Sequence, residues 1–225
     1  MPEHQDPNFR FLLAGLLVTT IAGPLYQEFT GESLTLVTNA GFALTLIISL
    51  WTLANSRLFL LTGIALAGLE VLFTAIYAVR PSNLLEVLTI LIMLAFCTIS
   101  LSITLKEVLF DWKIDANRLI GAACAYLLLG LSIGLLNILL FKFRPDSFAG
   151  LGEDPLQTPG SELIYYSFVT MTTLGYGDIT PEGPMARVLG YLAAITGQFY
   201  IAILVGTLVG MFLSQRLNGD DRPSE

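Results

Sequence analysis

Residues 170–181 read TMTTLGYGDITP, with four threonines, two glycines bracketing Tyr176, and Asp178. The strip has no histidine or cysteine to take a transition metal. It lies between two apolar runs, behind a segment too short to cross a bilayer. Glycine-rich, non-helical chain at that depth is tolerated only where it is buried in protein or lines a water-filled path. The groups on offer are therefore hydroxyls, a carboxylate and loosened main chain facing a polar space.

Other chemistry is poorly supplied. His4 is the sole histidine, and no Ser/His pair, HExxH helix, paired carboxylates or phosphate-binding loop occurs. Neither an enzyme nor a cofactor is expected. Cys97 and Cys124 sit in separate apolar runs and read as packing residues. Glu70, in ALAGLEVLFT, is the one acid well inside the first four apolar runs. An ionisable group at that depth is a candidate proton or ion sensor. Its competing reading is a hydrogen bond to a hydroxyl such as Thr74 or Tyr77.

The elements that position these residues are read from composition. Of 225 residues, 54% are hydrophobic and 13% charged, about half the charge of a soluble domain. The formal charge of −7 argues against nucleic-acid binding, which wants a basic face. Six apolar runs, at about 10–28, 34–54, 58–79, 84–105, 118–141 and 185–213, are long enough to cross roughly 30 Å of hydrocarbon as helices. The mixed-charge start and the absence of a small-residue cleavage site make the first a retained span. Residues 106–117, KEVLFDWKIDAN, read as an amphipathic interfacial linker.

Six spans put both termini on one side. That side collects Arg10, Arg57, Lys106, Lys113, Arg118, Arg216 and Arg222, against Arg80, Lys142, Arg144 and Arg187 on the other. The excess predicts cytoplasmic termini in a multi-pass plasma-membrane protein, with the strip facing out. Within 142–184, SELIYYSFVTMTT reads as a helix of about three turns, capped by Ser161.

The pattern Thr170-x-x-Thr173-Leu174-Gly175-Tyr176-Gly177-Asp178 resembles the selectivity filter of potassium channels, and the span–short helix–strip–span order over 118–213 resembles their pore module. The resemblance implies that the carbonyls of Thr173, Leu174, Gly175 and Tyr176, with the Thr173 hydroxyl, replace the hydration shell of K⁺. The Gly177 carbonyl would sit at the mouth. Gly175 and Gly177 would supply the φ values that aim successive carbonyls to one side. One strip per chain implies a homotetramer, with the C-terminal end of each short helix favouring a cation in the cavity. Potassium is then a permeant ligand.

Further expectations follow from the same likeness. Thr170, Thr172 and Asp178 would support the strip. Tyr165 and Tyr166, where relatives often have tryptophan, would form a cuff bonding Asp178 and Tyr176. Leu174 replaces the commoner valine, and Val169 stands where some relatives carry a carboxylate. Gly197 matches the inner-helix hinge, though close packing is the alternative. By helical register Gln198, Ile201, Val205, Val209 and Leu213 face the axis, and an apolar ring near Val209 or Leu213 closes by dewetting. Gly206 and Gly210 have the spacing of close helix packing.

The expectation is an all-α membrane protein: six transmembrane helices plus a re-entrant pore helix and filter. Residues 1–105 form a four-helix domain, 106–117 a linker, 118–215 the pore and 216–225 a tail with no nucleotide-binding domain. Residues 84–105 contain no Lys or Arg, so the fourth helix cannot sense voltage through charge. The compact layout suggests a prokaryotic inner membrane. A poorly selective monovalent cation channel and the pore subunit of a potassium uptake system are the alternatives. Partners are lipids and identical chains, not nucleic acid.

Overall fold

The computed structural model describes residues 9–30, 57–110, 116–152, 159–207, 209–211 and 213–214. The predicted second span, most of the interfacial linker beyond Phe110, and the tail lie outside these residues. The described chain is mostly helical, with one two-residue ladder and a non-helical stretch after Met171. Helices α1 (Phe9–Thr30), α2 (Arg57–Val79), α3 (Asn83–Phe110), α4 (Ala116–Phe143), α5 (Pro159–Met171) and α6 (Pro184–Phe199) follow in order, and α6 runs on as a π-helix over Tyr200–Val205. Strand β1 (Phe148–Ala149) pairs antiparallel with β2 (Thr180–Pro181).

Among the described residues three helical stretches are long and apolar enough to cross a membrane: Asn83–Leu109, Ala116–Phe143 and Pro184–Ile203. Phe9–Ala22 and Gly63–Tyr77 are shorter apolar stretches. Lys106–Phe110, predicted as interfacial linker, instead continues α3 as helix.

Helix α4 is the hub. Leu128, Leu131 and Leu135 recur at three- and four-residue spacing and are almost fully buried. α3 lies antiparallel along one side of α4, and Lys142 pairs with Glu86 across them. α1 docks on another side through Phe9, Leu12 and Leu16, all buried. Its first residue is fastened to α4: the Phe9 N–H donates to Asn117 Oδ1 at 3.1 Å, and Cys124 Sγ lies 3.6 Å from the Phe9 carbonyl. Both cysteines are free and buried.

α5 crosses α4 where α4 has no side chain to obstruct it. A Cβ on Gly130 would fall 2.4 Å from the Phe168 ring, and one on Gly134 3.0 Å from Ile164. The Ser167 hydroxyl donates to the Gly130 carbonyl at 2.9 Å, closing this buried contact with a hydrogen bond. α5 begins at Pro159 rather than at Ser161. A proline at the first helical position brings a preset φ and no wasted N–H, so Ser161 falls inside the first turn. The helix has 13 residues, roughly 20 Å, and cannot span.

Candidate functional site

The strip begins where α5 stops. Thr172 N–H still donates to the Phe168 carbonyl at 2.9 Å, in the helical pattern. Then the chain reverses: Thr173 N–H donates to the Thr170 carbonyl at 3.0 Å, and the N–H groups of Leu174 and Gly175 both turn back to the Val169 carbonyl, at 2.9 and 3.3 Å. The donors near the start of the strip are thus spent on the end of α5. Among the described residues no hydrogen bond is donated to the carbonyls of residues 173–177.

Backbone sense alternates along this stretch. Gly175 has φ +57° and Gly177 φ +78°, the left-handed values that glycine adopts freely. Thr173 has φ +60°, which sequence reasoning did not anticipate. Left-handed φ is uncommon for a β-branched residue, and the position is stabilised locally: the Thr173 hydroxyl donates to the Thr172 carbonyl at 2.6 Å. Every second residue therefore turns the opposite way, the condition for main-chain oxygens to point in a common direction.

Several attachments hold the strip. Tyr165 Oη donates to Asp178 Oδ2 at 2.7 Å. This bond holds the exposed Asp178 carboxyl below its ordinary range and pushes the Tyr165 phenol up to about 12. Behind Asp178, Gly150 (φ +82°) approaches so closely that a Cβ would lie 1.8 Å from the Asp178 carbonyl oxygen. Register β1–β2 pairs Phe148 with Pro181 and Ala149 with Thr180, and the Ser147 carbonyl accepts from the Glu182 and Gly183 N–H groups. At the inner end, Gln198 Nε2 donates to Thr173 Oγ1 at 3.3 Å.

Other predicted site residues are distributed differently from expectation. Tyr166 is not part of a cuff around Tyr176. It is 5% exposed, packs edge-on against Phe148, shares a hydrogen bond with the Thr170 side chain, and has its hydroxyl over Gly190. The helical turn from 165 to 166 aims one tyrosine at the strip and the other into the core. Thr172 turns its hydroxyl back to the Phe168 carbonyl at 2.7 Å. Leu174 and Tyr176 are exposed in the single chain, at 54% and 67%.

Gly197 is buried against the end of α5, where a Cβ would meet the Met171 carbonyl oxygen at 2.1 Å. That observation favours the packing reading over a hinge. Just beyond it the α register stops, because the Gly206 N–H donates to the Ile201 carbonyl, an i→i−5 bond. Six π-helical residues rotate the following chain by on the order of 100° relative to a continuous α-helix. Val205, Val209 and Leu213 therefore do not remain on the face of Gln198 and Ile201. Among the described residues, a Cβ added to Gly206 or Gly210 would meet nothing within 4 Å.

Glu70 is fully buried, and neither carboxylate oxygen has a hydrogen-bond partner among the described residues. The alternative reading, a bond to a hydroxyl such as that of Thr74 or Tyr77, is not met among the described residues. Among the described residues no group of histidine, cysteine and acidic side chains has metal-site geometry.

Residues 123–214 match a family model described as ion channel. The chain is 36% identical over 63 residues to a voltage-gated potassium channel of Aeropyrum pernix, covering 28% of this chain and 21% of that protein. It is 29% identical over 108 residues to two-pore potassium channel 2 of Arabidopsis thaliana, covering 48% of this chain and 23% of that one. It is 42% identical over 49 residues to the potassium voltage-gated channel protein Shal of Drosophila melanogaster, covering 22% and 9%. The matches thus span about a quarter or less of these relatives' lengths. No solved structure matches.

Proposed function

We infer, for a chain whose residues 123–214 belong to the ion-channel family, that four copies form a channel passing K⁺ passively and selectively. The observation that carries this reading is the strip itself. Left-handed φ recurs at 173, 175 and 177, while the N–H groups of Leu174 and Gly175 are tied to Val169 and, among the described residues, the carbonyls stay unbonded. A stack of free carbonyls facing one axis replaces the water of a partly dehydrated cation. One strip supplies a quarter of each ring, so a closed four-fold assembly completes it. The exposed Leu174 and Tyr176 side chains would then pack on the neighbouring copy or behind the ring.

The names of the relatives support potassium as the permeant ion. The run 84–105, which contains no Lys or Arg, argues against gating by a charged fourth helix. The excess of basic residues on the side of the termini supports cytoplasmic termini in a multi-pass membrane protein.

Purified protein in a planar bilayer, under opposed K⁺ and Na⁺ gradients, tests the reading. Reversal near the K⁺ equilibrium potential, with a mass of four identical chains, is expected. Equal passage of the two ions, or a single chain in the conducting species, overturns it.

A further inference from the structure

Gln198 follows Gly197, and the contact of Gly197 with the Met171 carbonyl fixes where α6 meets the end of α5. At that level Gln198 Nε2 lies 3.3 Å from Thr173 Oγ1, and Thr173 Oγ1 lies 2.6 Å from the Thr172 carbonyl oxygen. A hydroxyl has one proton and two lone pairs. Its proton is committed to the Thr172 carbonyl, so only a donor can complete the contact with Gln198. The amide must therefore present its N–H. One lone pair of the hydroxyl takes that N–H, and one is left over.

Both Thr173 and Gln198 are exposed, so the spare lone pair faces open space rather than protein. The side-chain amide oxygen of Gln198, Oε1, has no hydrogen-bond partner among the described residues. Thr173 is held in an uncommon left-handed conformation, and its hydroxyl is bonded on one side to its own chain and on the other to α6. At the inner end of the strip, the inner helix thus reaches it through this side chain.

We propose that Gln198 is a positioning residue for the innermost cation site: its amide locks the Thr173 hydroxyl with the free lone pair toward the ion and so sets how tightly that site holds a cation arriving from the inside. The proposal rests on the potassium-channel reading and adds a specificity-determining residue to it. With the amide removed, the hydroxyl rotor is free to leave the ion-facing setting, and the site weakens without losing its shape.

Ba²⁺, close to K⁺ in radius with twice the charge, probes this site in bilayers of the full-length assembly. Gln198→Met keeps the side-chain length and deletes the donor. We expect it to weaken block by internal Ba²⁺ about fivefold, the scale of one ordinary hydrogen bond. Thr173→Val removes the hydroxyl; in that background Gln198→Met should change block by less than about twofold, because the two act as one unit. Unchanged block in Gln198→Met, or full additivity with Thr173→Val, overturns the proposal while a K⁺-selective wild type leaves the channel reading standing. A wild type that does not discriminate K⁺ from Na⁺ removes both. Should Gln198→Met fail to assemble, Gln198→Asn, which withdraws the same amide by one carbon, is read by the same criteria.

Discussion

The Tyr165 hydroxyl donates to the Asp178 carboxylate across 2.7 Å, joining α5 to the outer end of the strip thirteen positions further along the chain. The bond makes Asp178 easier to ionise and Tyr165 harder.

The pH behaviour follows with a definite sign. Asp178 has its folded value depressed, so its contribution is present above the ordinary value of 3.8 and is lost only as pH falls through the lower folded value. Tyr165 is raised from 10 to about 12, so its contribution is intact below 10 and is lost as pH climbs through about 12. Single-channel K⁺ current should therefore be insensitive, through this pair, to outside pH between about 5 and about 9. In Tyr165→Phe the acid-side loss should begin at higher pH than in wild type, moving toward the ordinary carboxyl range. Identical acid titrations of the two proteins would refute the coupling.

Gly150→Ala should be severe. Its φ of +82° disfavours any Cβ, and the added carbon would lie 1.8 Å from the Asp178 carbonyl oxygen. A loss of at least about 1 kcal/mol is expected from conformation alone, before the clash. Gly160→Ala is the control, since the nearest atom to its Cβ is Ile138 Cδ1 at 3.8 Å, and alanine is the better helix former by about 1 kcal/mol. Thermal unfolding in detergent should rank Gly160→Ala at or above wild type and Gly150→Ala well below.

Gly197 separates packing from hinging. A Cβ there meets the Met171 carbonyl at 2.1 Å, whereas Gly206 and Gly210 meet nothing within 4 Å among the described residues. Gly197→Ala should reduce thermal stability and K⁺ flux together, because α6 must move off α5. A variant with wild-type stability but altered open probability would restore the hinge reading.

Tyr200 anchors the start of the π-helix. Its buried hydroxyl donates to the Ala122 carbonyl at 2.6 Å, and its ring lies 5.4 Å from that of Tyr126. Tyr200→Phe keeps the ring and deletes the bond, which should lower stability by about 1 kcal/mol. If the π-helix depends on this anchor, open probability should shift as well, measured in the same bilayers used for selectivity.

The sequence is informative where one residue type has one physical use. Gly175 and Gly177 are legible because left-handed backbone needs glycine, and the Tyr165–Asp178 bond because the resemblance places the two together. Thr173 carries no such mark: a threonine in left-handed conformation is fixed by its surroundings, here Thr172 and Gln198. Gly150 reads as an ordinary turn glycine, since only the fold brings it to Asp178. The π-helix is invisible because YIAILV satisfies an α pattern equally well, and the tie of its first residue, Tyr200, to the Ala122 carbonyl of α4 exists only in the folded chain. Tyr166 shows the limit of position by analogy, as one step around a helix separates the strip from the core. Glu70 is marked as buried by its apolar flanks, yet its carboxylate has no hydrogen-bond partner among the described residues.

The small ladder between Phe148–Ala149 and Thr180–Pro181 has a mechanical implication. It clasps the chain leaving α4 to the chain arriving at α6, so the near ends of those two helices behave as a common pivot. Whatever swing α6 makes relative to α4 must develop with distance from that pivot. The lever arm is longest past Gly197, where the backbone already departs from α geometry.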